Sequence, residues 1–151
     1  DMDENNTFIT SIVKKGDGYT ESGTRWFLDD IVIYRYAELL LLIAEAKNAL
    51  GQDPSAEMNE IRARAYGENF SSFEFVSASQ EANDEAILQE RLFELAFEGK
   101  RWWDLIRFDK AFEKVPSLQG KEGQDYLLVW PITLETISLN SKITQNPGYE
   151  Q

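Results

Sequence analysis

The sequence contains no histidine and no cysteine, and these two absences exclude several kinds of chemistry. A chain without cysteine has no disulfide, no thiol nucleophile and no thiolate metal ligand. A chain without histidine lacks the commonest general base and the commonest transition-metal ligand. We therefore expect no metal site, no cofactor and no catalytic residues.

Basic residues are also scarce, because 15 lysines and arginines stand against 27 acids and give a formal net charge of −12. Proteins that bind nucleic acid need a basic face that displaces counterions from phosphates. No cluster of lysine or arginine provides such a face here, and an anionic membrane surface would repel the chain. We expect no nucleic-acid partner.

Long apolar runs are missing as well. The longest strongly apolar run, Leu39 to Ala44, is too short to span a bilayer. The first ten residues, "DMDENNTFIT", have no basic segment followed by an apolar one, so no signal peptide is visible. These features suit either a cytosolic protein or a mature or truncated piece of a longer one.

The apolar material that is present suffices for one domain, since 42% of the 151 residues are hydrophobic and 13% are aromatic. Apolar patterns predict a mainly α-helical fold with two helical hairpins, whose helices cover residues 30–50, 55–66, 84–98 and 101–114. Asp29 or Asp30 would cap the first helix and Gly51 would end it. Helix pairs in series are typical of tetratricopeptide-like arrays.

The remaining segments are predicted to be loop-rich. Residues 1–29 form a polar lead-in, and residues 30–151 form a single helical domain whose tail docks on it. We predict a short strand at 7–13, loops at 14–23 and 68–83, an extended segment at 125–132, a helical turn at 134–139 and a turn at 144–149.

Residues 90–108, "ERLFELAFEGKRWWDLIRF", combine acids, arginines and two tryptophans. Glu94 and Glu98 can be interpreted as a catalytic carboxylate pair, as metal ligands, as ligand contacts or as members of an ion-pair network. Arginines within three residues of both acids favour the network. Its predicted members are Arg91, Glu94, Glu98, Arg101, Asp104 and Arg107.

Three loop aromatics, Tyr19, Trp26 and Tyr126, are candidates for ligand contact, because an aromatic ring offers a flat face to a sugar. Packing against the domain body is the alternative for each of them. Trp102 and Trp103 point about 100° apart on a helix and are expected to pack in the core or at a helix interface.

Four segments together resemble the C-terminal part of SusD/RagB-like proteins, the outer-membrane nutrient-binding lipoproteins of Gram-negative bacteria. They are "IYRYAELLLLIAEAKNALG" at 33–51, "MNEIRARA" at 58–65, the stretch at 90–108 and "QNPGY" at 145–149. Two positions depart from the family pattern: Lys100 replaces a common histidine, and Thr133 replaces the second proline of "PIP".

The resemblance implies a tetratricopeptide-like scaffold in a non-catalytic protein. That protein would capture a glycan or oligopeptide at the cell surface, as a lid on a SusC-like TonB-dependent transporter. It also implies a lipid anchor, and ligand contacts that come largely from a part that this sequence does not contain. The alternative is a helical protein–protein interaction module without a small-molecule ligand, and a hydrolase is disfavoured by the missing histidine and cysteine.

Overall fold

The structure, a computed structural model, describes residues 15–16, 18–28 and 32–149. The strand predicted at 7–13 lies outside the described residues. Two compact units divide the chain, residues 1–35 and residues 36–151.

The first unit contains a two-stranded antiparallel hairpin, with β1 at Tyr19–Glu21 and β2 at Thr24–Trp26. Ser22 and Gly23 form its turn with φ angles of 50° and 79°. Two successive positive φ angles are typical of the two-residue turns whose twist matches that of paired strands. The prediction of a loop over 14–23 was therefore wrong for β1, because this turn lets the flanking polar residues pair.

Helix α1 spans Tyr36–Ala49 and begins six residues later than predicted. The predicted caps, Asp29 and Asp30, lie outside the described residues. The β-branched and aromatic residues at 32–34 have low helix propensity, which favours the later start. The predicted end is confirmed: Gly51 has φ 69°, and the Gln52 N–H donates to the Lys47 carbonyl in a Schellman-type closure.

Helix α2 spans Ser55–Tyr66, as predicted, and is followed by a 3-10 helix at Gly67–Ser72, most of which lies in the loop predicted at 68–83. Helix α3 spans Gln80–Glu94. It begins four residues earlier than predicted because the Ser79 hydroxyl caps it, accepting from the Ala82 N–H at 3.3 Å.

The single helix predicted at 101–114 is wrong, because the structure has α4 at Arg101–Arg107 and α5 at Ala111–Lys114. Asp109 separates them with φ 53°, and the Lys110 N–H closes α4 on the Leu105 carbonyl at 2.8 Å. Aspartate is one of the few residues that tolerate this left-handed conformation.

In the tail, a 3-10 helix covers Asp125–Leu128, so the extended prediction was wrong for these four residues. The helical turn predicted at 134–139 is confirmed as α6, Leu134–Leu139. Thr133, which departs from the family pattern, caps α6 by accepting from the Thr136 N–H at 3.3 Å.

Two apolar clusters hold the second unit together, and Phe108 packs against both. The first joins α1, α2 and α3 through Leu40, Leu41, Ala44, Met58, Ile61, Phe75, Ile87 and Leu95. The second places Leu88, Leu105, Ala111 and Leu118 beneath the tail. The mainly helical prediction is confirmed. Among the described residues, no helix combines the length and apolar character needed to cross a bilayer.

Candidate functional site

Two of the candidate aromatics, Tyr19 and Trp26, are direct cross-strand partners in the hairpin. Opposed residues of an antiparallel pair lie on the same face, with Cβ atoms about 4.5–5.5 Å apart. Tyr19 is 48% exposed and Trp26 is 46% exposed, so each ring retains an accessible surface. The sequence suggested both residues separately, and the strand register brings them together as an aromatic pair.

The third candidate, Tyr126, lies in the 3-10 helix of the second unit and packs within the tail. Its ring meets the Tyr149 ring edge-on, with centroids 5.2 Å apart. A Cβ added to Gly148 would lie 2.4 Å from the Tyr126 ring, which shows how closely the backbone approaches it. Tyr126 therefore has a packing role in this structure.

The terminal motif "QNPGY", residues 145–149, forms a structure that we call the clasp. Gln145 exchanges two hydrogen bonds of 2.8 Å with the backbone of Ile132. Asn146 donates to the Trp130 carbonyl at 2.7 Å, and the Tyr149 hydroxyl donates to the Val129 carbonyl at 3.0 Å. The clasp thus satisfies the polar backbone of an extended segment that pairs with no strand among the described residues.

The charged stretch contributes to a network that spans three helices, which we call the ion network. Arg91 of α3 lies 2.7 Å from Asp104 of α4 and 3.9 Å from Glu38 of α1. Lys100 lies 3.1 Å from Glu38. Because Arg91, Asp104 and Glu38 are all buried, these charges are held away from water and depend on one another.

Arg107 extends the ion network to the surface. It lies 3.0 Å from Asp104 and makes a two-pronged contact with the Glu45 carboxylate. The sequence interpretation missed Glu38 and Glu45. Their spacing of seven residues on an otherwise apolar helix was the available signal, because it places both acids on one face.

The other predicted members lie elsewhere. Glu94 pairs with Arg64 of α2, and the Arg101 Nη1 donates to the Leu88 carbonyl at 2.9 Å. Glu98 lies in the turn after α3, where its backbone N–H donates to the Leu95 carbonyl at 3.1 Å. Glu94 is therefore engaged by a cation of another helix rather than by its sequence neighbour Arg91.

A second aromatic surface borders the clasp around a cavity of about 410 Å³. Its lining includes Trp102, Trp130, Tyr149, Val115, Leu118 and Leu127. Trp102 is partly buried there, as expected for a packing residue, whereas Trp103 is 58% exposed. The sequence interpretation did not single out Trp130, whose signal was its place beside Pro131 in a segment with little helix character.

Acidic side chains do not gather into a metal site: across the described ranges, no group of three or more is arranged to hold an ion. Of the acids in the charged stretch, Glu94 pairs with an arginine and Asp104 pairs with two. These ion pairs link α3 to α2 and to α4.

A sequence profile of the SusD family matches residues 3–149. The chain belongs to the SusD family. SusD-like protein P38 of Formosa agariphila is 36% identical over 130 residues, which are 81% of this chain and 25% of the relative. Starch-binding protein SusD of Bacteroides thetaiotaomicron is 29% identical over 151 residues, which are 93% of this chain and 26% of the relative.

Solved structures agree with the sequence comparison. Bacteroides fragilis NanU superposes with a TM-score of 0.76 at 35% identity, over 99% of this chain and 34% of that one. A SusD superfamily protein of the same species gives a TM-score of 0.77 at 26% identity, over 99% of this chain and 35% of that one. The chain spans about a quarter of the length of the curated relatives it matches.

Proposed function

We propose that this chain belongs to a non-catalytic nutrient-binding protein that captures a glycan at the cell surface. Membership of the SusD family carries this proposal, supported by a relative that is named as a starch-binding protein. In the proposed setting the protein is a lipid-anchored outer-membrane component that works with a SusC-like TonB-dependent transporter. An oligopeptide is the second ligand class that the family resemblance admits.

Within this chain, the Tyr19 and Trp26 pair is our proposed glycan contact. Sugar rings present apolar C–H faces that stack on aromatic rings, and both rings have accessible surface on one face of the hairpin. The lead-in at 1–29 would then supply ligand contact, while the helical domain at 30–151 would serve as scaffold. Tyr126 is not part of the proposed contact, because its ring packs on the clasp.

A non-catalytic role fits the chemistry of the ion network. General acid–base catalysis by two carboxylates needs one acid whose proton affinity is raised by its surroundings. Here Asp104 accepts from both Arg91 and Arg107, and Glu94 pairs with Arg64. We propose that these groups hold α1, α2, α3 and α4 in place and take no part in turnover.

Saturation-transfer NMR with maltooligosaccharides and with a panel of other glycans tests the proposal. Because two paired rings offer a small contact area, we expect weak binding that Trp26→Ala and Tyr19→Ala each reduce by about tenfold or more, in line with loss of about 1.4 kcal/mol. Trp103→Ala is the matched control, since it removes an exposed tryptophan from the second unit. Glycan binding that survives both hairpin variants would place the contact elsewhere.

The alternative function, a helical protein–protein interaction module, is favoured by one observation. Tyr36, Leu39 and Ile43 lie three and four residues apart along α1, and all three are exposed. Exposed apolar stripes of this kind often mark protein contacts. Co-purification with a transporter barrel, combined with no glycan signal, would support this alternative over glycan capture.

A further inference from the structure

A second cavity, of about 390 Å³, lies beneath the turn between α3 and α4. We call it the cationic cavity, because its lining includes Arg91, Lys100 and Arg101. Leu92, Phe97 and Trp102 supply much of its apolar wall. Its size falls within the usual range for small-molecule sites, which runs from about 300 to 1,000 Å³.

The charged residues that line this cavity are cationic, whereas the chain as a whole is acidic. The formal net charge is −12, yet among the described residues three cationic side chains and no acid line the cavity. Glu38 and Asp104 contact Arg91 or Lys100 without lining the cavity themselves. Arg91 and Lys100 are thus paired with acids, whereas the described residues provide no ion pair for Arg101. A cation of this kind beside an apolar wall favours an anionic occupant.

Arg101 carries charge that its surroundings only partly balance. Its Nη1 donates to the Leu88 carbonyl, a neutral acceptor. Burial lowers the pKa of Arg101, and the charges of Asp104 and Glu85 oppose this without cancelling it. An anion in the cavity would supply the missing compensation.

Two residues of the lining also carry enclosed donors without acceptors. Within the described part of the chain, the Nε and Nη1 atoms of Arg91 and the Nε1 atom of Trp102 are enclosed and have no hydrogen-bond partner. Acceptors are thus scarce beside this cavity, and the enclosed atoms themselves are too buried to touch an occupant.

We propose that the cationic cavity binds a small organic carboxylate with an apolar body. The carboxylate would pair with Arg101 and Lys100, since guanidinium and ammonium groups form strong hydrogen bonds with carboxylates. The apolar body would lie among Leu92, Phe97 and Trp102. Phe97 has φ 65° and is 80% exposed, an unusual state for a phenylalanine, and it places a ring at the rim.

This proposal is independent of glycan capture, because a neutral sugar carries no carboxylate and the aromatic pair belongs to the other unit. The probe is 4-fluorobenzoate, followed by fluorine NMR with the 151-residue chain. Its control is 4-fluorobenzamide, which has nearly the same shape and no charge. We expect the carboxylate to bind at least tenfold more tightly than the amide, and to bind less tightly at high salt.

Variants locate the site. Arg101→Gln and Phe97→Ala should each weaken 4-fluorobenzoate binding at least fivefold. Lys110→Gln removes the same unit of charge from a surface pair with Glu113 on α5, and should leave the affinity unchanged. Phe97→Ala changes an exposed side chain and should leave the fold intact, so it tests the location of the site even if Arg101→Gln fails to fold.

The indole proton of Trp102 gives a second readout, because its ring lines the cavity and would contact the apolar body of the probe. We expect its resonance to shift on titration while that of Trp26 does not. Equal binding of benzoate and benzamide, or equal effects of Arg101→Gln and Lys110→Gln, would overturn the proposal. A shift confined to the Trp26 resonance would overturn it too, because the probe would then occupy the hairpin.

Discussion

The Nη2 atom of Arg91 lies 2.7 Å from the Asp104 carboxylate, and both side chains are only 2% exposed. This contact joins α3 to α4, and Glu38 extends the same charge cluster to α1. Burying two ions costs several kcal/mol each, which their mutual attraction offsets only while both partners are present. The two side chains are therefore mutually dependent.

We predict that Arg91→Met destabilises the protein by about 3–5 kcal/mol, because it leaves Asp104 and Glu38 buried with less compensation. Urea denaturation followed by circular dichroism measures the change in the free energy of unfolding.

Arg101→Met is the matched comparison, since it makes the same substitution at a less buried arginine. It removes one hydrogen bond to a backbone carbonyl and should cost about 1 kcal/mol. Equal losses of unfolding free energy for the two variants would contradict the expectation that the more buried arginine contributes more. An unchanged stability for Arg101→Met would mean that its hydrogen bond to Leu88 contributes nothing.

Helix content and several helix ends could be predicted from the sequence because their causes are local. Apolar periodicity indicated helices at α1, α2, α3 and α4, and Gly51 ends α1 by adopting a conformation that most residues avoid. The starts of α2 and α4 were also predicted, whereas those of α1 and α3 were misplaced. The cap at Ser79 was not recognised, and residues 32–35, which were predicted to be helical, lie outside α1.

The candidate site was less predictable because its geometry is not local. Local spacing suggested that Arg91 pairs with Glu94, whereas the structure pairs Arg91 with Asp104 and Glu38, and Glu94 with Arg64. Helix packing decides these pairings. In the hairpin, one turn with two positive φ angles places Tyr19 opposite Trp26, seven residues apart in the sequence.

A second prediction concerns the buried amides that join α1 to α3. Asn83 donates to the Asn48 side chain at 3.0 Å and accepts from the Ala78 N–H at 2.8 Å, while Asn48 donates to Asp84 at 2.7 Å. Removing one amide leaves buried partners unsatisfied, so Asn83→Ala should cost about 1–3 kcal/mol.

A double-mutant cycle with Asn48→Ala isolates the contribution of the direct contact. We expect the losses of unfolding free energy in the two single variants to sum to more than the loss in the double variant, because each single change already removes the contact between the two amides. Additive losses would show that the two amides act independently.

A third prediction concerns acid pH. The Asp53 carboxylate accepts from the Ser55 hydroxyl at 2.6 Å and from the Ser55 N–H at 2.9 Å. These two hydrogen bonds hold the pKa of Asp53 below its ordinary value of 3.8, and the bond from the hydroxyl has the larger effect. A carboxyl group with a lowered folded-state pKa contributes stability above its unfolded pKa, and this is lost as the pH falls through the folded pKa.

Asp53→Asn should therefore destabilise the protein at pH 7, and the difference from the parent chain should shrink as the pH falls below 3.8. Denaturant titrations across this range measure it. Ser55→Ala removes the hydroxyl donor and should reduce the pH dependence attributed to Asp53. A difference that stays constant with pH would exclude this role for the carboxylate.

The last prediction tests the clasp through its glycine. Gly148 has φ 89°, and a Cβ there would lie 2.4 Å from the Tyr126 ring. Gly148→Ala thus combines backbone strain with a steric clash. Gly120 has φ 77°, and no described residue beyond its chain neighbours lies within 4 Å of an added Cβ, so Gly120→Ala carries the strain without the clash.

We expect Gly148→Ala to lose about 1–3 kcal/mol more than Gly120→Ala, the usual cost of overpacking. The displaced clasp should also release its hydrogen bonds to 129–132. The Ile132 N–H donates to the Gln145 side chain, so amide exchange at Ile132 should accelerate only in the Gly148 variant. If both variants lose the same stability and Ile132 stays protected in each, the Tyr126 contact does not hold the clasp in place. The reason for a glycine in "QNPGY" would then be its positive φ alone.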